Sequence, residues 1–404
     1  MVLKKPGGSI NFVQLAIIAI FISLLVIFNL SVKSEQHFSL LAKSFLVGKT
    51  YFTEIPESSG DLAYFGGRYY WANSPLPAVL LTPFVLASNY LSTTFYQGYL
   101  QIALVIGIFF LIYKITKSLG YLTSNALLLA FAFCFASPLL GVGMWPWSWY
   151  FGHVVATLFI VLAFWEFLVR KRYGVIGIFY AAVLLTRPSA VLGVLFYILT
   201  SAFLDKGNKR EKLKRIFLLL TPIFVAGLIV AFYNYIRFGE LLEFGYSYSN
   251  LPPFHDRARE YGIYSPMHIP GNLYYMLLGA PLPVFRDNIS HVLGFPYLRT
   301  NPWGMSLFVT SPYLIKLFFL KKFKTEQKYL FTTAFVVALP IILFFGIGFR
   351  QFGYRYALDF LPYVFFSYFI GYRGENPKLS MATQTVIILS AYFNVYLFLA
   401  GFFN

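Results

Sequence analysis

The chain reads as an all-α, polytopic transmembrane helical bundle, and three observations lead there. Of its 404 residues 58% are hydrophobic and 21% aromatic while only 12% are charged, about half the charged fraction of an ordinary soluble domain. Charge-free runs at Asn11 to Val32, Ile216 to Ile236, Tyr329 to Phe349 and Leu379 to Asn404 each reach the roughly 20 residues that a helix needs to cross a bilayer. Basic residues, finally, gather at the ends of apolar runs. Lipid leaves only helices or closed barrels as spanning structures, and these runs lack the period-two alternation of barrel strands. A soluble enzyme is excluded.

Taken in order, the first run follows Lys4 and Lys5. It starts too polar for a removed signal peptide and lacks a small-residue cleavage site, so it is expected to be a retained first span with its N-terminus in the cytoplasm. A first outer-face loop, 33–74, opens with Ser34-Glu35-Gln36-His37-Phe38 and continues through Leu41-Ala42 to Gly48, the pattern of a short amphipathic helix. Asp61 then precedes a Gly66-Gly67 bend and Arg68-Tyr69-Tyr70. Pro75, Pro77 and Pro83 interrupt the charge-free stretch Tyr69 to Tyr113 and predict a broken or interfacial helix there. Asn272 to Phe285, with Pro281 and Pro283, is similarly ambiguous.

Clusters at Lys114/Lys117, Arg170 to Arg172, Lys206 to Arg215, Lys321 to Lys328 and Arg373/Lys378 mark cytoplasmic loops. With the N-terminus and Lys316 they hold most of the 32 basic residues and a minority of the 15 acids, as the positive-inside rule requires. The net charge of +17 thus has a topological explanation, and no nucleic-acid partner is expected. Outer turns fall near Met144 to His153 and at Arg187, followed by a second long outer loop, 237–271, and a stretch Arg350 to Tyr356. Arg237, Glu240, Glu243, Asp256, Arg257, Arg259 and Glu260 make that second loop strongly charged, mostly as solvated surface. The layout gives about 10–12 spans in a single integral membrane domain, 1–404, with no fixed-period repeat or linker. The single cysteine, Cys134, rules out an intramolecular disulfide and a Cys/His zinc site.

The chain contains no P-loop, no GxGxxG after a strand, no HExxH and no GxSxG; the chemistry left to it is charge at the outer face. Here it resembles a known family. A first span, an acid opening a large outer loop, an aromatic and an alanine soon after, and a Pro-rich entry to the next run together resemble the GT-C superfamily of membrane glycosyltransferases, in the bacterial branch of protein O-mannosyltransferases and aminoarabinose transferases. Tyr233-Asn234-Tyr235-Ile236-Arg237-Phe238-Gly239, Glu243-Phe244-Gly245-Tyr246, and Phe352-Gly353-Tyr354-Arg355-Tyr356 with Asp359 and Leu361-Pro362 support it. The family opens its loop with an Asp or an Asp-Glu pair; Ser34-Glu35 stands at those positions, so the first acid is missing.

What the resemblance implies is sugar transfer from a polyprenyl-phosphate donor to a lipid, glycan or protein acceptor on the outer face of a bacterial cytoplasmic membrane. The residue types suit it. A carboxylate takes the acceptor's proton as it attacks the anomeric carbon, with Glu35 as the first candidate and Asp61 as the second acid. Arginine binds phosphate in a fork and stays charged near lipid; Arg68, Arg187, Arg350 and Arg355 are the candidates. His37, Tyr69, Glu243, Asp256 and Tyr354 are candidate acceptor or pocket residues. No cofactor is called for: Glu35, His37 and Asp61 have donor types that a divalent cation accepts, but no metal-ligand spacing supports one.

Each assignment has a plainer competitor. Glu35 equally fits a helix N-terminal acid held by the helix dipole, Asp61 a turn cap, and His37 an ordinary hydrogen-bonding group. Arg187, between apolar runs, is functional by default because an arginine there is expensive, against an ion pair or snorkelling. Arg355 and Asp359 are four apart and suit a pair on one helix face. Trp145-Pro146-Trp147-Ser148-Trp149-Tyr150 reads first as an interfacial aromatic belt. For the whole chain, a transporter or lipid flippase and a catalytically inert GT-C-like protein remain alternatives.

Overall fold

In the computed structural model, residues 12–56, 60–320, 323–375 and 378–402 are described, and they are mostly helical. In chain order the elements are α1 (Phe12–Ser31), α2 (His37–Leu46), β1 (Leu62–Phe65), β2 (Arg68–Trp71), α3 (Leu76–Tyr90), α4 (Gln97–Ser118), α5 (Thr123–Phe135), α6 (Leu139–Met144), α7 (Ser148–Val169) and α8 (Tyr173–Leu184). There follow α9 (Pro188–Leu204), whose turns pass from 3-10 through α to π, α10 (Lys209–Phe238), α11 (Pro253–Glu260), α12 (Ile269–Leu277), β3 (Leu282–Phe285) and β4 (Leu293–Arg299). The chain ends with α13 (Leu307–Thr310), α14 (Thr325–Leu343), α15 (Leu361–Glu375) and α16 (Met381–Phe402).

Among the described residues six helices, α1, α4, α7, α10, α14 and α16, are long and apolar enough to cross a membrane. This is an integral membrane protein. Shorter apolar helices of 10–17 residues, α3, α5, α8 and α9, lie between them; the expectation from sequence was of about 10–12 spans.

Local chemistry explains the boundaries. The short helix expected after the first span is α2, and Gly48 just beyond it adopts φ 68°, the left-handed turn that ends helices cheaply. The proline-interrupted stretch after Tyr69 resolves into the end of β2 and then α3, with a proline in its first turn, where the lost N–H costs nothing. The Asn208 side chain accepts from the Glu211 amide to start α10, and Gly239, at φ 76°, stops it. Two hairpins were not anticipated. Gly66 and Gly67 both take positive φ and join β1 to β2 in the register Leu62↔Trp71 to Phe65↔Arg68, as a two-residue primed turn demands. The second hairpin pairs Leu282 with Arg299 and Phe285 with Leu293; its first strand ends the stretch Asn272 to Phe285 that was ambiguous in sequence. In its loop Asp287 accepts from the Ser290 hydroxyl and from the Ser290 and Ile289 amides, which hold its carboxyl below the ordinary value.

The contacts group the chain into two compact units, with boundaries inside α1 and α4. One comprises Met1–Leu24, Ile108–Met144 and Tyr264–Asn404. Its core is aromatic: Phe21 meets Phe131 edge-on at 4.8 Å and Tyr392 at 5.5 Å, while Asn394 donates to the Thr310 carbonyl. The other comprises Leu25–Gly107 and Trp145–Ile263. Its α8 and α10 approach so closely at Gly177 that a Cβ there would run into the Leu219 backbone carbonyl. Backbone cannot give way as a side chain does, so Gly177→Ala is expected to cost about 1–3 kcal/mol, read as a lower thermal midpoint of the purified protein in detergent.

Candidate functional site

Within the second unit, the segment between α1 and α2 is tied to the first residues of two spans. A helix leaves its first four N–H groups without intrahelical partners. Gln97, the first residue of α4, donates its N–H to Gln36 Oε1 at 2.9 Å, and Ser148, the first residue of α7, donates its N–H to the Glu35 carbonyl at 3.1 Å. The same Glu35 carbonyl accepts from Ser148 Oγ at 2.8 Å and Gln97 Nε2 at 3.2 Å. Trp147 Nε1 donates to Ser34 Oγ at 3.0 Å, so Ser34 holds the indole that immediately precedes α7.

These bonds fix an unfavourable backbone. Glu35 sits at φ 55°, a left-handed conformation that costs a non-glycine residue about 1–3 kcal/mol and persists only where the surroundings over-determine it. The three donors to its carbonyl do so. Glu35 precedes the Gln36 cap of α2, so it is not a first-turn acid of that helix. Its carboxylate lies 3.6 Å from Nε2 of His37. His37 is fully buried, its ring stacked on Trp71 at 4.2 Å and 7°, with Trp149 at 5.7 Å and Phe52 at 6.1 Å. The partial positive ends of α4 and α7 point into this segment, which favours negative charge there. A carboxylate on a fixed backbone beside a buried imidazole, next to the first residues of α4 and α7, is an arrangement suited to accepting a proton from a group that approaches it.

Gln97 is the keystone of the clamp: it is buried and also donates to the Pro146 carbonyl and Ser148 Oγ. Gln97→Leu removes the donor to the Pro146 carbonyl and one of the three donors to the Glu35 carbonyl, at a cost of about 1–3 kcal/mol; the unfolding free energy of this variant is expected to fall by that amount.

The other sequence candidates are placed as follows. Asp61 is half-buried and also left-handed, at φ 65°. Its N–H donates to the Asn250 carbonyl, and the Asn250 N–H returns to Leu62, so the second long loop lies along β1, bridging Ala63 to Ser249. Tyr69 faces Tyr64 across the hairpin, and Arg68, exposed, lies over the Tyr51 ring at 4.4 Å. Arg187 is half-buried just after α8, beside the Leu185 carbonyl that accepts from the first N–H of α3. Glu243 caps its own turn through the Gly245 and Ser247 amides, and Asp256 pairs with Arg259 at 2.7 Å, which also donates to the Tyr246 carbonyl.

Arg350, Tyr354 and Arg355 belong to the first unit. Arg350 is exposed at φ 52°. Tyr354 is buried, donating to Asn272 Oδ1 at 2.8 Å. Arg355 is buried in a 3-10 turn that runs to Asp359 and donates to the Phe349 carbonyl at 3.1 Å.

No family model matches this chain, and no curated protein matches it. Among solved structures it is similar to the apo oligosaccharyltransferase of Archaeoglobus fulgidus, at 12% identity and TM-score 0.47, over 96% of this chain and 55% of that one. It is also similar to the archaeal oligosaccharyltransferase AglB of the same organism in complex with an inhibitory peptide and a dolichol-phosphate, at 12% identity and TM-score 0.43, with the same coverage. The chain thus spans about 55% of the length of the structures it matches.

Arg237 was counted with the charges of the second loop, mostly solvated with one or two toward the acceptor, but it is the last-turn residue of α10 and only 2% exposed. Its guanidinium lies over Tyr233 at 4.0 Å and near Phe238 at 4.7 Å, and donates to the Trp71 carbonyl at 2.8 Å and Asn234 Oδ1 at 2.7 Å. It therefore fixes the residue whose ring covers His37. The spacing Tyr233 to Arg237 to Gly239 carried the signal: a helix that ends at the glycine brings i and i+4 onto one face. Among the described residues no group of three or more His, Cys, Asp and Glu side chains is placed to hold a metal ion.

Proposed function

We propose that this protein is a membrane glycosyltransferase, moving a sugar from a polyprenyl-phosphate donor to a lipid, glycan or protein acceptor by a single inverting displacement. The observation that carries the reading is Glu35: a strained backbone held by three donors, with its carboxylate beside the buried His37. Strain kept at such a cost in a membrane chain points to a required geometry.

In this mechanism the acceptor oxygen or nitrogen attacks the anomeric carbon, its proton passes to the Glu35 carboxylate, and the bond to phosphate breaks with its electron pair leaving on the lipid phosphate. His37 orients the carboxylate, and Asp61 steers the acceptor or the base. The phosphate, already a good leaving group, is met by cations rather than by a general acid, with Arg68 and Arg187, in the same unit as Glu35, as the candidates, and Tyr69, Glu243 and Asp256 are candidate acceptor contacts. The reaction is assigned to the outer face of a bacterial cytoplasmic membrane, with the N-terminus inside, on the distribution of basic residues and the resemblance in sequence layout.

The test is transfer of radiolabelled sugar from a panel of polyprenyl-phosphate sugars to a cell-envelope extract, by purified protein in lipid nanodiscs. Labelled product that depends on both the protein and the lipid-linked donor is expected. Absence of product with every donor, from protein shown to be folded, overturns the proposal.

A further inference from the structure

The β3–β4 hairpin belongs to the first unit and plays no part in the proposed chemistry. Its second strand has the alternation of an amphipathic strand turned inside out. Gly294, Pro296, Leu298 and Thr300 face inward, while Leu293, Phe295, Tyr297 and Arg299 are exposed. An antiparallel sheet with one face in water puts its polar residues on that face. Here the outward face is apolar and aromatic: Phe295 is 83% exposed, and Ile289 in the connecting loop is 89% exposed. Phe285, opposite Leu293 in the register, is exposed as well. A contiguous patch of this kind marks an interaction surface.

What covers it follows from where the strand is fastened. The inward face of β4 lies on the final turns of α16, one of the helices long and apolar enough to cross a membrane. Tyr396 donates its hydroxyl to the Pro296 carbonyl, Thr300 Oγ1 donates to the Leu397 carbonyl at 2.6 Å, and Thr300 stands against Gly401. A 22-residue helix is about 33 Å long, so Tyr396 to Gly401 lie at its end, at the level where a span meets the headgroups. The charges agree with that level. Arg286 and Arg299 flank the apolar face, where long cationic side chains reach phosphates while their stems stay in the apolar layer. The loop's one acid, Asp287, is turned onto its own Ser290.

We propose that the β3–β4 hairpin is a membrane-dipping element, whose Phe285, Leu293, Phe295 and Tyr297 face enters the headgroup and acyl boundary of the bilayer that α16 spans. The proposal is independent of the transferase reading. It is tested by depth-dependent fluorescence quenching. Cys134 is buried, so a Cys134→Ser background accepts a single reporter cysteine. An environment-sensitive dye is placed by Phe295→Cys, and by Arg257→Cys on the polar α11 as the water reference, in nanodiscs of phosphatidylcholine and phosphatidylglycerol. The expected result is a blue-shifted Phe295 reporter, quenched by lipids with a nitroxide near the headgroup and shielded from aqueous iodide, against the reverse at Arg257. Quenching of the Phe295 reporter by iodide alone overturns the proposal, and so does shielding from both quenchers, which means a protein cover. A second measurement needs no variant: a photoactivatable phospholipid irradiated with the wild-type protein in nanodiscs leaves adducts within 285–297 if the hairpin dips, and their absence there overturns it.

Discussion

Glu35→Gln is expected to lower sugar transfer by about 10²–10⁴-fold, the usual contribution of a positioned general base, with the loss in kcat rather than KM. The change is close to isosteric and leaves the local backbone alone, because the donors that clamp this residue, Ser148 N, Ser148 Oγ and Gln97 Nε2, all bond its carbonyl oxygen. The amide cannot accept the acceptor's proton at neutral pH. Thermal stability should therefore move little while turnover collapses. Glu35→Gly sharpens the test: relief of the left-handed backbone at φ 55° removes about 1–3 kcal/mol of strain, so this variant should be inactive and yet unfold at a higher temperature. Stability gained with activity lost is the mark of strain kept for function. Full transfer by Glu35→Gln, with loss only in Asp61→Asn, would move the base to Asp61.

The sequence carried the charge-free spans and the helix after the first span, because apolar length and a following glycine act locally; at Pro75, Pro77 and Pro83 it suggested a broken or interfacial helix, whereas α3 runs on through Pro83. It did not carry the β1–β2 hairpin. Leu62-Ala63-Tyr64-Phe65 and, after Arg68, Tyr69-Tyr70-Trp71 do not alternate apolar with polar, so the period-two signal is flat, and only Gly66-Gly67 marked the turn. The clamp on Glu35 was illegible for another reason. Its partners stand 113 residues away at Ser148 and 62 away at Gln97, and no pattern along one sequence records a pairing at that range. Ser34 accepts from Trp147 in the structure, a structural task that its place in the sequence did not show. The tryptophan-rich patch, read as an interfacial belt, supplies that indole and also Trp149 beside His37.

Arg237→Ala is expected to destabilise the protein by about 2–5 kcal/mol. The guanidinium is nine-tenths buried or more; it is held by Trp71 O, Asn234 Oδ1 and the faces of Tyr233 and Phe238. Truncation orphans two buried acceptors at about 1–3 kcal/mol each and removes the packing of the arginine stem. Arg237→Lys should recover only part of the loss, since an ammonium has no planar fork to bridge two acceptors and no flat face to stack. The measurement is thermal unfolding of both variants in nanodiscs, with transfer activity alongside. The two readouts are linked through one residue: Arg237 holds the carbonyl of Trp71, whose ring lies 4.2 Å from His37, and His37 in turn abuts Glu35. Arg237→Lys should therefore lose transfer out of proportion to stability and raise the KM little, because its effect reaches the base by way of the indole. A variant within about 0.5 kcal/mol of wild type, the range of an ordinary surface substitution, would return Arg237 to the solvated surface that most of the second loop's charges were expected to form.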